Sequence, residues 1–241
     1  TPKKESFKEE FRDIKIQTKK SIQYVRRNKT LYSLILAGIL TSIAYLPIGI
    51  GWVPFLQELS FPDHAFGYIY SAMALVGVFA PLISQKLLKK GKERKLITQI
   101  MIFSIISALA IILAVNIPIA LIVFIAFVFF GKMSSPIKIA YFQKFVPSKL
   151  RATIGSVEAM IFAIVGIIVL PLMGYIIDVA GPRMTIFFSA FLAIPAAIIY
   201  YRIKDKKVYD KHAHLAESKK THRIREHKTH HSKKPIPRIQ P

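Results

Sequence analysis

The sequence contains no cysteine, a single tryptophan and far fewer acids than bases. Without cysteine there are no disulfides, no zinc–thiolate sites and no thiol nucleophile. Asp and Glu total 13 against 35 Lys and Arg, a net charge of +22. Yet 53% of the residues are hydrophobic. A soluble domain seldom combines those two values, whereas a multi-spanning membrane protein segregates apolar spans from basic loops. Histidine is missing from every long apolar run, and His64 lies in a short connection. That removes the Ser–His pair of an intramembrane serine protease. A His-Glu-x-x-His metalloprotease pattern is also absent. Asp178 stands alone at the end of an apolar run, so paired-aspartate chemistry is excluded, and no enzyme is expected. Nothing in the chain calls for a cofactor.

Long apolar runs are what the sequence does have. About 20 apolar residues are needed to cross a hydrocarbon layer of ~30 Å. Six runs qualify: 31–55, 66–88, 96–115, 117–142, 153–177 and 184–201. Only Asn116 separates the third from the fourth, which implies a tight hairpin. The expected fold is therefore an all-α membrane protein with six transmembrane helices at 31–201. A basic amphipathic linker at 1–30 precedes it and a basic, His-rich, disordered tail at 202–241 follows. Of the 35 Lys and Arg, 33 fall in 1–30, 86–95, 138–151 and 202–241. The positive-inside rule puts these segments, and both termini, in the cytoplasm of a multi-pass protein of the cell membrane. An even number of spans likewise requires both ends on one side, so the charge count and the span count support each other.

In 1–30, Phe7, Phe11, Ile14, Ile22 and Val25 recur at helical spacing among cations. This pattern fits either a helix lying on an anionic bilayer surface or a solvated linker. The tail cannot bury a core. Its histidines lack ligand spacing, so no metal site is expected. It offers only Tyr209 for stacking, so no specific nucleic acid is expected either. Its plain role is to hold topology and touch anionic lipid.

The spans differ in polarity. The third and sixth are almost purely aliphatic and are expected to face lipid. The first carries Thr41, Ser42, Tyr45 and Trp52; the fourth carries Lys132, Ser134, Ser135 and Tyr141; the fifth carries Glu158. These nine residues are the candidates for a polar path. Rows of small residues at Gly67, Ser71, Ala74 and Gly77, and at Gly155, Ala159, Ala163 and Gly166, mark helix–helix contacts on the second and fifth spans. Such a division suggests one half of a larger pore or transporter.

In "FIAFVFFGKMSSPIKIAYF", residues 124–142, Lys132 interrupts an apolar run. It stands roughly 15 Å from the end of the run at 1.5 Å per residue. At that depth an ammonium costs about 2.5–3.5 kcal/mol. Three readings remain open. Lys132 lines a path, binding an anionic or polar group or taking part in proton coupling. Alternatively it pairs with Glu158 or with an acid outside this chain. The third option is that the span is shifted and Lys132 lies near an interface.

Two motifs resemble the major facilitator superfamily. The first is "VPSKLRATIGSVEAMIFAIVGIIVLPLMGYIIDVAG", residues 146–181, with Arg151 at the start of a helix that ends through Pro171, Gly174, Asp178 and Gly181. The second is "LISQKLLKKGKERKLI", residues 82–97, similar to that family's basic loop. Gly91, Lys92 and Arg94 stand in its later part, while Ser84 and Leu88 replace its first Gly and its Asp, so the gating ion pair of that Asp is not implied. The resemblance covers about residues 20–201 and implies the C-terminal half of a twelve-helix secondary transporter, with a texture similar to drug-efflux and sugar-type members. A start at Thr1 fits such a segment. It further implies alternating access for an unknown small solute, with ion or proton coupling, the first and fourth helices lining the cavity, and an N-terminal six-helix half as partner. A six-helix unit that pairs with a second copy of itself, and a membrane anchor with a basic tail, are the alternatives.

Overall fold

In lipid every backbone N–H and C=O must be satisfied within the segment itself, which leaves helices as the economical solution for apolar runs of this length. The computed structural model of the chain describes residues 16, 18–19, 21–89 and 91–203, apart from the side chain of Lys149. Phe7, Phe11 and Ile14 of the amphipathic reading, and the His-rich tail from residue 204, lie outside the described residues.

Among the described residues six helical spans are long and apolar enough to cross a membrane, as expected from the sequence. They are α1 (Lys29–Glu58), α2 (Phe66–Leu87), α3 (Glu93–Leu109, prolonged by a 3-10 turn Ala110–Leu113), α4 (Ile117–Gln143), α5 (Arg151–Ala180) and a sixth span built from α6 (Pro182–Phe191) and α7 (Ala193–Arg202). No strand occurs among the described residues. The sequence pattern treats the sixth span as one helix. It breaks at Leu192 because Pro195 has no N–H and its ring crowds the carbonyl of Phe191.

The ends are capped where the sequence provides for it. The Asn28 side chain accepts from Leu31 N–H at 3.2 Å and starts α1. The Asn116 side chain accepts from Ile119 N–H at 3.1 Å and starts α4, with a proline in its first turn. This is the tight hairpin expected at Asn116, and both caps satisfy an otherwise orphaned donor. Residues 21–27 are helical ahead of Asn28, and the Tyr24 hydroxyl donates to Phe145 O at 3.4 Å.

Packing divides the spans into two groups. α1 packs on α5, α6 and α7, while α4 packs on α2 and α3. α3 closes against the sixth span, and α1 meets α4 across the centre. Charged side chains staple the ends. Arg94, at the start of α3, donates to Tyr201 O at 2.6 Å and to Ile203 O at 3.0 Å, where α7 ends. Glu93 pairs with Lys144 just past α4. At the opposite end, Arg183 donates to Ala114 O at 2.8 Å and lies 5.2 Å from the Phe55 ring centroid. The end with the loops around Gly91 and Pro147 is called the basic end below, and the other the far end.

Two expectations need correction. The third and sixth spans are not simply lipid-facing: 50% and 44% of their central residues are buried in the bundle. Their outer faces alone, including Ile102, Phe103, Ile106 and Ile198, remain exposed. Uniformly aliphatic helices carry no signal that separates a packed face from a lipid face, because lipid tails are as apolar as Leu. The least covered helices are instead α2 and α5, with 11% and 6% buried. Their small-residue rows make no close contact within the chain. A Cβ added at Gly67, Gly77 or Gly155 would meet nothing within 4 Å. Ser71, Ala74, Ala159 and Ala163 are exposed.

Gly181 joins α5 to α6 at φ 81° and ψ 153°, a region that only glycine occupies without strain. Gly181→Ala should cost the full chain about 1–3 kcal/mol of stability, read as a lowered thermal midpoint in detergent. Gly49→Ala, on an exposed helix face with ordinary helical backbone, should not lower that midpoint. Equal midpoints for the two variants would contradict the assignment.

Candidate functional site

A cavity of about 390 Å³ opens between α1, α4 and α5 at the basic end. Thr41, Ser42 and Tyr45 of α1, Ser134, Ser135 and Lys138 of α4, and Arg151 and Glu158 of α5 line it, with Tyr200 of α7 closing one wall. The helical register explains the grouping. Ser134 and Lys138 are four residues apart, and Arg151, Gly155, Glu158 and Phe162 recur at three or four, so each set shares a face. Small residues leave the room. Gly38 approaches α5 so closely that a Cβ there would lie 2.9 Å from the Phe162 ring.

Two of the cavity's hydroxyls are turned back to their own helices. Thr41 donates to Ala37 O at 2.7 Å and Ser134 to Gly131 O at 2.9 Å. The charges are not neutralised locally. Lys138 Nζ sits 5.8 Å from the centroid of the Tyr200 ring, a cation–π distance. Among the described residues no ion pair joins Lys138 or Arg151 to Glu158. Two cations and one carboxylate thus face one concave space.

An aromatic layer closes the cavity toward the far end. Tyr45 meets Phe127 edge-on at 4.8 Å. Its hydroxyl faces Ser104 of α3 without closing a hydrogen bond of good geometry. Beyond it Trp52 stacks on Phe124 at 4.8 Å and takes the edges of Phe66 and Tyr70 at 5.7 and 5.3 Å. Ile48, Phe55, Leu56, Ile111 and Ile186 pack around this layer.

The nine sequence candidates are therefore sorted by the structure. Thr41, Ser42, Tyr45, Ser134, Ser135 and Glu158 share the cavity. Trp52 belongs to the plug instead. Tyr141 is fully buried against Phe145, with ring centroids 5.2 Å apart. Lys132 is exposed and is not part of the lining. It stands three residues before Ser135 and seven before Ile139, both of which line the cavity, so it continues their face one turn deeper. The lysine inside the cavity is Lys138. By sequence it counts with the loop charges, but it stands roughly 7.5 Å inside α4 at 1.5 Å per residue. Its spacing of four from Ser134 and three from Tyr141 is the signal that assigns it to the same polar stripe. Tyr200, and Gln143 which also lines the cavity, have no comparable signal in the sequence.

Of the motif residues, Gly91 adopts φ 81° in the loop before α3, and exposed Lys92 precedes the helix start. Arg94 makes the staple to α7. Arg151 sits at the cavity mouth. On α5, Pro171 lies within the helix, Gly174 has an open face, Asp178 is exposed and Gly181 makes the turn. No group of His, Asp and Glu among the described residues could hold a metal.

Comparison with known proteins fits this arrangement. No solved structure matches the chain. An uncharacterized MFS-type transporter of Bacillus subtilis (strain 168), YxaM, is 26% identical over 195 residues, covering 78% of this chain and 47% of that protein. The chain thus spans about half the length of that relative. Residues 1–169 match the Major Facilitator Superfamily. With six spanning helices and a match over that much of its length, the chain is a multi-pass membrane protein that belongs to the Major Facilitator Superfamily.

Proposed function

We propose that the chain is the C-terminal six-helix half of a secondary transporter that moves a small polar or charged solute by alternating access, with ion or proton coupling. Both termini are cytoplasmic in the cell membrane, and the cavity is this half's share of the solute path. The observation that carries the reading is the outward direction of the small-residue rows. Rows of this kind let helix backbones approach closely. The α2 row, and Ala159 and Ala163 of the α5 row, lie on the outside of the chain, while Gly155 opens onto the cavity. A second six-helix unit, either a preceding half or another copy, gives them a partner.

Lys132 supports the same reading. An ammonium exposed at mid-span cannot face acyl chains at modest cost. Covered by a partner, or wetted by a shared aqueous path, it is accommodated. In the cavity, Lys138 and Arg151 attract an anionic group of the solute and Glu158 a cationic one. The Glu158 carboxylate is also the group best placed to carry a coupling proton. The plug around Trp52 gives this half an inward-open form, closed at the far end. No covalent step is involved, so the chain is not an enzyme on this reading.

This chain contributes no cysteine to the background, which suits accessibility labelling of the full polypeptide. A cysteine placed by Ser135→Cys should react with a membrane-impermeant maleimide added from the basic-end side. One placed by Ile186→Cys, in the plug, should stay unreactive. A Ser135→Cys protein inert to the impermeant reagent from both sides would sink the cavity as an aqueous path.

In proteoliposomes screened for solute uptake, Lys138→Met should reduce flux of the transported solute by about 10–100-fold, the loss of a charged hydrogen bond of about 1.5–3 kcal/mol. Unchanged flux in Lys138→Met would remove Lys138 from the solute path.

A further inference from the structure

On the outer side of the bundle, away from the solute cavity, an apolar groove of about 380 Å³ runs between α3 and α7. Its walls include Thr98, Ile102 and Ile106 on one helix and Ile194, Ile198 and Tyr201 on the other. Thr98 offers no free donor, since its hydroxyl donates to Arg94 O at 3.0 Å. The groove is concave where the outer face of a packed helix pair is ordinarily ridged, and it is not on α2 or α5, the helices whose small-residue rows await a partner.

Among the described residues, both walls of this groove carry a cation at the basic end. Lys95 precedes Thr98 by three residues and Ile102 by seven, so it prolongs the α3 wall. Arg202 follows Ile198 by four and Ile194 by eight, so it prolongs the α7 wall. Both are exposed. The hydrogen bonds from Arg94 to Tyr201 O and Ile203 O hold those two helix ends together. Lys95 and Arg202, one prolonging each wall, therefore stand at the same end of one apolar slot. Tyr201 stands at the same level with most of its ring exposed, as aromatic side chains do at the depth of lipid headgroups.

We propose that this groove holds one anionic phospholipid, with an acyl chain along the α3–α7 slot and its phosphate between Lys95 and Arg202. Bulk lipid explains an apolar outer face but not a slot with paired cations at one mouth. A second copy of the chain is disfavoured as occupant: a two-fold contact through this face would set Lys95 and Arg202 of one copy against the same cations of the other. The attraction of a juxtamembrane Lys or Arg to anionic lipid is about 1 kcal/mol each, so the pair should favour an anionic head over a neutral one by about 30-fold.

The test uses the full polypeptide in detergent with a phosphatidylglycerol bearing a photoreactive group on its acyl chain, followed by peptide mapping. Crosslinks should fall on the α3 and α7 peptides. Unlabelled palmitoyl-oleoyl-phosphatidylglycerol should displace them at about 30-fold lower concentration than the phosphatidylcholine of the same chains. Lys95→Gln with Arg202→Gln should remove that preference, and crosslinks at other basic sites should persist. Ile198→Phe, which fills the slot and keeps both cations, should abolish the α3–α7 crosslinks alone, so one variant's misfolding does not decide the matter. Equal displacement by the two lipids, crosslinks absent from α3 and α7, or a dimer that excludes the probe would each overturn the proposal.

Discussion

A charge cannot face acyl chains cheaply, and this constraint organises the molecule. The penalty is about 2.5–3.5 kcal/mol for a lysine at the centre of a span, large against the few tenths to one kcal/mol that a single interhelical contact provides. Each charge within the spans therefore dictates what surrounds it. Lys138 is tucked over the Tyr200 ring inside a cavity. Glu158 opens onto the same space. Lys132, left exposed at mid-span, calls for a covering partner or for water. The remaining cations are gathered at the helix ends, where they work as staples. Arg94 and Arg183 each bind backbone carbonyls left orphaned at the end of another helix or turn, the position where a cation also meets the negative end of the helix dipole.

The two ends of the bundle are consequently built on different physics. Near the far end, cohesion comes from dispersion between large rings, with Trp52 on Phe124 and Tyr45 against Phe127. Aromatic pairs add about 0.5–1.5 kcal/mol each beyond their buried area. Near the basic end the same helices diverge around a space lined by Gly38, Ser135 and Gly155, and the stapling passes to polar contacts around its rim, including Glu93 with Lys144. A region held by few, hydrated contacts opens more readily than one held by interlocked rings.

Much of this was legible in the sequence because the bilayer constrains it so strongly. Span number, the Asn116 hairpin and the polar character of α1, α4 and α5 follow from length and residue type alone. Lys132 and Lys138 show the limit. Both lie in one helix on neighbouring faces, and only the direction of α5 and α7 relative to α4 decides which one the cavity receives. Depth along a helix can be counted from sequence, but azimuth relative to neighbours depends on packing. The third and sixth spans failed for a related reason: an all-aliphatic helix looks alike to lipid and to a bundle interior. The small-residue rows mark contact faces by composition, but composition does not name the partner, and Gly67 and Gly77 meet nothing within this chain.

The plug also bears on how the six helices can move. Opening the far end by parting α1 from α4 would separate Trp52 from Phe124 and expose Phe55, Leu56 and Ile186. Losing a buried aromatic side chain costs about 3–5 kcal/mol in packed cores, and several would be lost together. Sliding the unit as a body along the open faces of α2 and α5 breaks none of those contacts. Those faces carry small residues over which a partner helix can shift with little change in packed volume. The dense far end and the bare lateral faces thus favour one kind of motion: the six helices keep their internal arrangement, and any tilt falls on the open faces of α2 and α5.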